Sequence, residues 1–212
     1  MGIIQRQALL NTIINYIGVV IGFVNVMVLF PLFLTQEEFG LTRLVLSIIV
    51  TMAQLASLGV NRIAIKFFPL FKTLPHKNNG LLLYLLLLSI CGFIILSVGY
   101  YVLKPQILAY YQDDSSLFKS YFGWIPLATL GLVLFIVFES FLQALKKTVF
   151  TNLLRNVILR LYWLLALMFY YFDFCSFFQF MLIYMSGYFV SATMCVLQLL
   201  MNKEFSFDIN SD

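Results

Sequence analysis

The stretch that decides the fold is LLLYLLLLSICGFIILSVGYYVL, residues 81–103, which holds no charged side chain. A helix needs about 20 apolar residues to cross a bilayer. A helix also closes its backbone hydrogen bonds within the segment, which lipid demands. Outward from this run, five further apolar segments cover residues 9–34, 41–60, 121–145, 152–172 and 177–201. The expected fold class is all-α: a polytopic membrane protein built as a six-transmembrane-helix bundle over 1–202, with a polar cytoplasmic tail at 203–212.

Composition agrees. Of 212 residues, 62% are hydrophobic and 10% charged, and the mean hydropathy is +0.97. Soluble domains carry about 25% charged residues, so this chain could not cover a water-exposed surface. The 23 Phe and 12 Tyr residues suit aromatic belts at membrane interfaces. Cys91, Cys175 and Cys195 lie far apart, with no CxxC and no Cys/His cluster, so inert thiols are expected rather than zinc or disulfides. The first apolar segment follows Arg6 as a signal peptide would. Its length, its Asn residues and the lack of a small-x-small site point instead to a retained span.

Polar punctuation separates the spans. Thr35 to Gly40 reads as a tight turn. Asn61 to Gly80 reads as a basic loop carrying Arg62, Lys66, Lys72, His76 and Lys77, broken by Pro69 and Pro75. The next link runs to Lys119 and carries Asp113 and Asp114. Orientation follows from the cations. With the N-terminus inside, ten lie on the cytoplasmic side: Arg6, Arg62, Lys66, Lys72, Lys77, Lys146, Lys147, Arg155, Arg160 and Lys203. Only three, Arg43, Lys104 and Lys119, lie outside. The positive-inside rule then places both termini in the cytoplasm.

Few residues offer chemistry. In the first span Asn11, Asn15, Gly18, Gly22 and Asn25 fall at intervals of four, three, four and three, one stripe of a helix. Amides in lipid must find hydrogen bonds, so the stripe either packs against another helix or lines a polar cavity. Glu139 in the fourth span and Arg160 in the fifth, counted from the turn between them, are expected to pair, either as a lock between helices or as groups of a substrate cavity that meet an anionic headgroup or take part in coupling. Arg155 is expected to snorkel to the interface. Arg43 is expected to find Glu37 or Glu38 across the first turn. Arg62 and Lys66 lie one turn apart beyond the second span. They either set topology or hold the phosphate of anionic headgroups. No phosphate loop, zincin motif or nucleophile elbow occurs. Neither enzymatic activity, nor a metal, nor a cofactor, nor nucleic-acid binding is expected.

One block carries a resemblance. Gly2-Ile3-Ile4-Gln5-Arg6-Gln7, Asn15-Tyr16-Ile17-Gly18, the L-x-x-E-E-F-G-L turn at 34–41, Leu55-Ala56-Ser57-Leu58-Gly59-Val60 and Phe67-Phe68-Pro69 occur in order. Together they resemble the amino-terminal region of bacterial oligosaccharide flippases of the polysaccharide-biosynthesis family. These belong to the multidrug/oligosaccharidyl-lipid/polysaccharide exporter superfamily. The resemblance implies a location in the bacterial cytoplasmic (inner) membrane. It implies two six-helix lobes around a cavity that moves a polyprenyl-diphosphate-linked oligosaccharide, for polysaccharide or lipopolysaccharide biosynthesis, by alternating access. It places the stripe of the first helix and Arg43 at that cavity. The chain has the length of one lobe. The expectation is a truncated fragment, or a half that works with a C-terminal lobe or second chain. The alternative is a small six-helix transporter or membrane scaffold acting as an oligomer.

Overall fold

The computed structural model describes residues 3–72, 79–110 and 116–201. Every regular element among them is helical. Helix α1 (Ile3–Phe23) runs through a π-helical turn, Val24–Leu29, into α2 (Phe30–Phe33). Then come α3 (Gln36–Ala56), α4 (Val60–Lys72), α5 (Asn79–Val102), α6 (Lys104–Tyr110), α7 (Ser116–Tyr121) and α8 (Trp124–Ala144). Helix α9 (Thr148–Leu153) passes through a second π-helical turn, Leu154–Ile158, into α10 (Leu159–Tyr171), and α11 (Phe177–Met201) closes the series. Among the described residues six helical stretches are long and apolar enough to cross a membrane: Gln5–Phe33, Gln36–Pro69, Gly80–Val102, Trp124–Ala144, Thr148–Tyr171 and Phe177–Met201. Large apolar side chains face outward on them, Val20, Leu32, Ile95 and Leu165 among others. That surface is consistent with a multi-pass membrane protein and poorly suited to water.

Capping explains how the spans begin. At the first turn, the Thr35 hydroxyl accepts from the Glu38 N–H at 3.3 Å, and the Glu38 carboxylate accepts from the Thr35 N–H at 2.9 Å. Two orphan donors are thereby satisfied reciprocally. Ser176 and Gln179 repeat the arrangement at the start of α11. At the opposite end of the bundle, α8 stops where Lys146 takes a positive φ of 62° and the Lys147 N–H returns to the Leu142 carbonyl.

The second span departs from expectation. Its helix does not end in a basic loop at residue 61. Leu58 and Gly59 take φ of 45° and 78°, and the chain turns and restarts as α4. The reason lies in the spacing of Val60, Ala64 and Phe68, which bury one stripe of α4 against α8 and α5. Pro69 sits inside that helix without ending it. His76 and Lys77, and Asp113 and Asp114 of the following link, lie outside the described residues, as does the tail at 203–212.

The fourth span is the axle. Helix α8 packs against α3, α4, α5 and α11, and 78% of its apolar window is buried. Phe135, Ile136, Val137, Phe141 and Leu142 form its contribution to the core. The first span sits at the edge. Its α1 packs on the fifth span, through α9, the π turn and α10, and only 17% of its apolar window is buried.

Candidate functional site

The stripe of the first span faces the fifth. Asn11 donates to the Thr148 hydroxyl at 3.4 Å and accepts from the Asn152 amide at 3.1 Å. Asn15 accepts from the Asn156 amide at 2.8 Å. Gly18 and Gly22 continue this seam by close approach. A Cβ on Gly18 would lie 2.7 Å from the Asn156 carbonyl oxygen, and one on Gly22 would collide with the Arg160 guanidinium. Arg160 donates to the Gly18 carbonyl, and Asn25 donates to the Arg160 carbonyl at 2.9 Å. The partner stripe is thus Thr148, Asn152, Asn156 and Arg160, spaced by four. Sequence reasoning missed it, although that spacing marks one helix face as plainly as the stripe in the first span does.

Glu139 pairs with Arg155, not with Arg160. Its carboxylate accepts from Arg155 Nε at 2.9 Å, forms an ion pair with Nη2, and accepts from Gln143 at 3.4 Å. The Arg155 guanidinium also lies 5.2 Å from the Phe135 ring centre. Glu139 is only 3% exposed, so leaving it unpaired would be costly. Depth explains the choice. Glu139 stands five residues, about 8 Å, before the end of α8, and Arg155 about 10 Å past the start of α9. Arg160 is about 18 Å past that start, too deep in the span. Arg155 therefore binds Glu139 while its side chain stays 43% exposed.

Arg43 does not pair with Glu37 or Glu38 either. The Glu38 carboxylate is taken by the Thr35 cap and by the Tyr170 hydroxyl at 2.9 Å. The Arg43 guanidinium turns inward instead, 5.1 Å from the Phe30 ring centre and 5.2 Å from that of Phe39. Such contacts stabilise a cation by about 0.5–2 kcal/mol. They leave its donors unanswered: Nε and Nη2 are buried without a hydrogen-bond partner.

Arg43 and Arg160 open onto one cleft of about 390 Å³. Its walls come from the first span (Gly22, Asn25, Phe30), the second (Arg43), the fifth (Arg160, Trp163) and the sixth (Tyr184). Trp163 stacks on Tyr184 at 4.8 Å and donates to its carbonyl at 3.0 Å, fixing that wall. Both π turns border the site: Asn25 sits in one, and Arg160 follows the other by two residues. Of the residues picked from sequence, the structure brings Asn25, Arg43 and Arg160 together here. Asn11 and Asn15 belong to the seam below the cleft, and Glu139, itself buried, to a separate ion pair with the partly exposed Arg155. Arg62 and Lys66 lie elsewhere, exposed on α4.

Among the described residues no group of three His, Cys, Asp or Glu side chains gathers to hold a metal ion. The three cysteines are free thiols, and burial pushes the Cys175 thiol, in the turn before α11, above its ordinary value. Comparison with family models, curated proteins and solved structures returns no match to this chain.

Proposed function

We propose that this chain is one lobe of a flippase that moves a polyprenyl-diphosphate-linked oligosaccharide across the bacterial cytoplasmic membrane, with both termini inside. The observation that supports it is the cleft with two arginines and no carboxylate on its walls. A cation within a span is expensive and normally meets a counter-charge. Glu139 answers Arg155; nothing acidic in the cleft answers Arg43 or Arg160. An anionic ligand would supply the missing charge, and a guanidinium fork fits phosphate oxygens in two-point geometry. The resemblance of residues 2–69 to oligosaccharide flippases supplies the substrate class. Transport by alternating access requires a second wall, which a C-terminal lobe on another chain or chain segment would provide. A second copy of this chain would provide it in the oligomeric transporter reading.

The test is rescue of surface polysaccharide in a strain lacking its own oligosaccharide flippase. The chain is expressed alone, then with a homologous C-terminal lobe. Rescue only with the added lobe, lost in Arg43→Gln and in Arg160→Gln, is expected. Rescue by the chain alone would favour the oligomer. Full rescue by Arg43→Gln/Arg160→Gln would remove the cleft from the mechanism.

A further inference from the structure

Helix α4 carries a second charged surface, away from the cleft. Its buried stripe is Val60, Ala64 and Phe68; its outward face shows Arg62 and Lys66, both exposed and one turn apart. Ile65 and Phe67, exposed as well, stand beside them. The Lys66 ammonium lies 5.8 Å from the Phe67 ring centre, so its head stays close to the apolar surface.

The level of this face along the bundle is set by its contacts. Asn61 accepts from the Ser140 hydroxyl, and Ser140 stands four residues, about 6 Å, before the end of α8. Arg62 and Lys66 therefore sit where α8 leaves the hydrocarbon and the polar layer begins. Lys146, in the turn after α8, is exposed at the same end. The described carboxylates do not oppose them. Glu139 is buried against Arg155, and Glu37, Glu38 and Asp173 lie at the other end of the bundle. Cations and apolar side chains alternating at this depth match the two parts of a phospholipid, its phosphate and its upper acyl chain.

We infer that the outward face of α4, through Arg62 and Lys66, is a docking site for the headgroup of an anionic phospholipid of the adjoining leaflet. Two positive groups on one ridge hold one or two phosphates, while Ile65 and Phe67 rest on the chains below. The site stabilises the α4–α8 contact, because a bound lipid adds a tie to a helix held by one apolar stripe and the Ser140–Asn61 bond. It is independent of what the cleft carries.

The test uses the full chain in neutral detergent. Thermal unfolding is followed with added phosphatidylglycerol, with phosphatidylcholine, or with inorganic phosphate at matched concentration. Phosphatidylglycerol is expected to raise the midpoint by several degrees more than either of the others. Arg62→Gln/Lys66→Gln should lose more than half of that rise, and Lys104→Gln/Lys119→Gln, at the opposite end, should keep it. Retained phosphatidylglycerol, counted by mass spectrometry of the purified protein, should fall in the first pair alone, which keeps the test open if that pair unfolds early. An equal response in both pairs, or an equal rise with inorganic phosphate, would overturn the site.

Discussion

The first and fourth spans are both apolar enough to cross a membrane, yet one is 17% and the other 78% buried. Hydropathy does not distinguish them, because lipid tails are as apolar as leucine and exert no hydrophobic pull between helices. What separates them is the chemistry of their faces. Helix α8 meets α3, α4, α5 and α11 with interlocking Phe, Val, Leu and Ala side chains. Helix α1 meets chiefly the fifth span, by amides, glycines and one arginine. The bundle is thus an apolar core around α8 with a polar seam at its edge. The seam is where the cleft opens.

If that division is right, the largest effect belongs to Glu139, the buried member of an ion pair whose arginine is 43% exposed. Arg155→Ala leaves that carboxylate without its counter-ion and should cost about 3–5 kcal/mol, measured by denaturation in mixed micelles. The double variant Glu139→Ala/Arg155→Ala should recover part of that loss. A loss below about 1 kcal/mol would mean that water reaches the pair and that the core is less dry than its packing indicates.

The seam should respond differently. Gly22→Leu drives a side chain into Arg160 and should separate the first span from the fifth at a cost of about 1–3 kcal/mol. The readout is disulfide trapping between Asn15→Cys and Asn156→Cys. Trapping should be efficient otherwise and lost with Gly22→Leu, while denaturation of the remaining five spans changes little. Loss of the whole fold with the trapping signal would erase the distinction between core and seam.

Single amides should matter less. Asn15→Ala removes its bond to Asn156 and should cost about 0.6 kcal/mol, the average for such bonds between spans. Smallest of all is a change on the outward face of the same helix. Val20→Ala, directed to lipid, should shift stability by less than about 0.5 kcal/mol. An effect of Val20→Ala exceeding that of Asn15→Ala would show that another protein surface, a second lobe or copy, covers that face.

Part of the site was legible in the sequence. Asn11, Asn15, Gly18, Gly22 and Asn25 announce a polar helix face because a period near 3.6 is a property of the chain itself. The partner stripe Thr148, Asn152, Asn156 and Arg160 carries the same signal. It is harder to read because Arg160, its one charged member, has Glu139 as a candidate partner at similar helical depth, and sequence alone does not rank an ion pair against a bond to a backbone carbonyl. Arg43 has Glu37 and Glu38 close by in sequence in the same way. The Thr35–Glu38 cap, a purely local device, then claimed the carboxylate.

The sequence by itself determined the number of apolar helices, since a helix crossing lipid must satisfy its backbone alone and so needs length and composition only. It determined too which faces are polar. Only the tertiary structure decided which cation meets which carboxylate, that the chain past Gly59 folds back into the core as α4, and that Arg43 and Arg160 share a cleft. Those outcomes depend on depth, tilt and rotation of neighbouring helices, quantities set by packing between segments far apart in the chain.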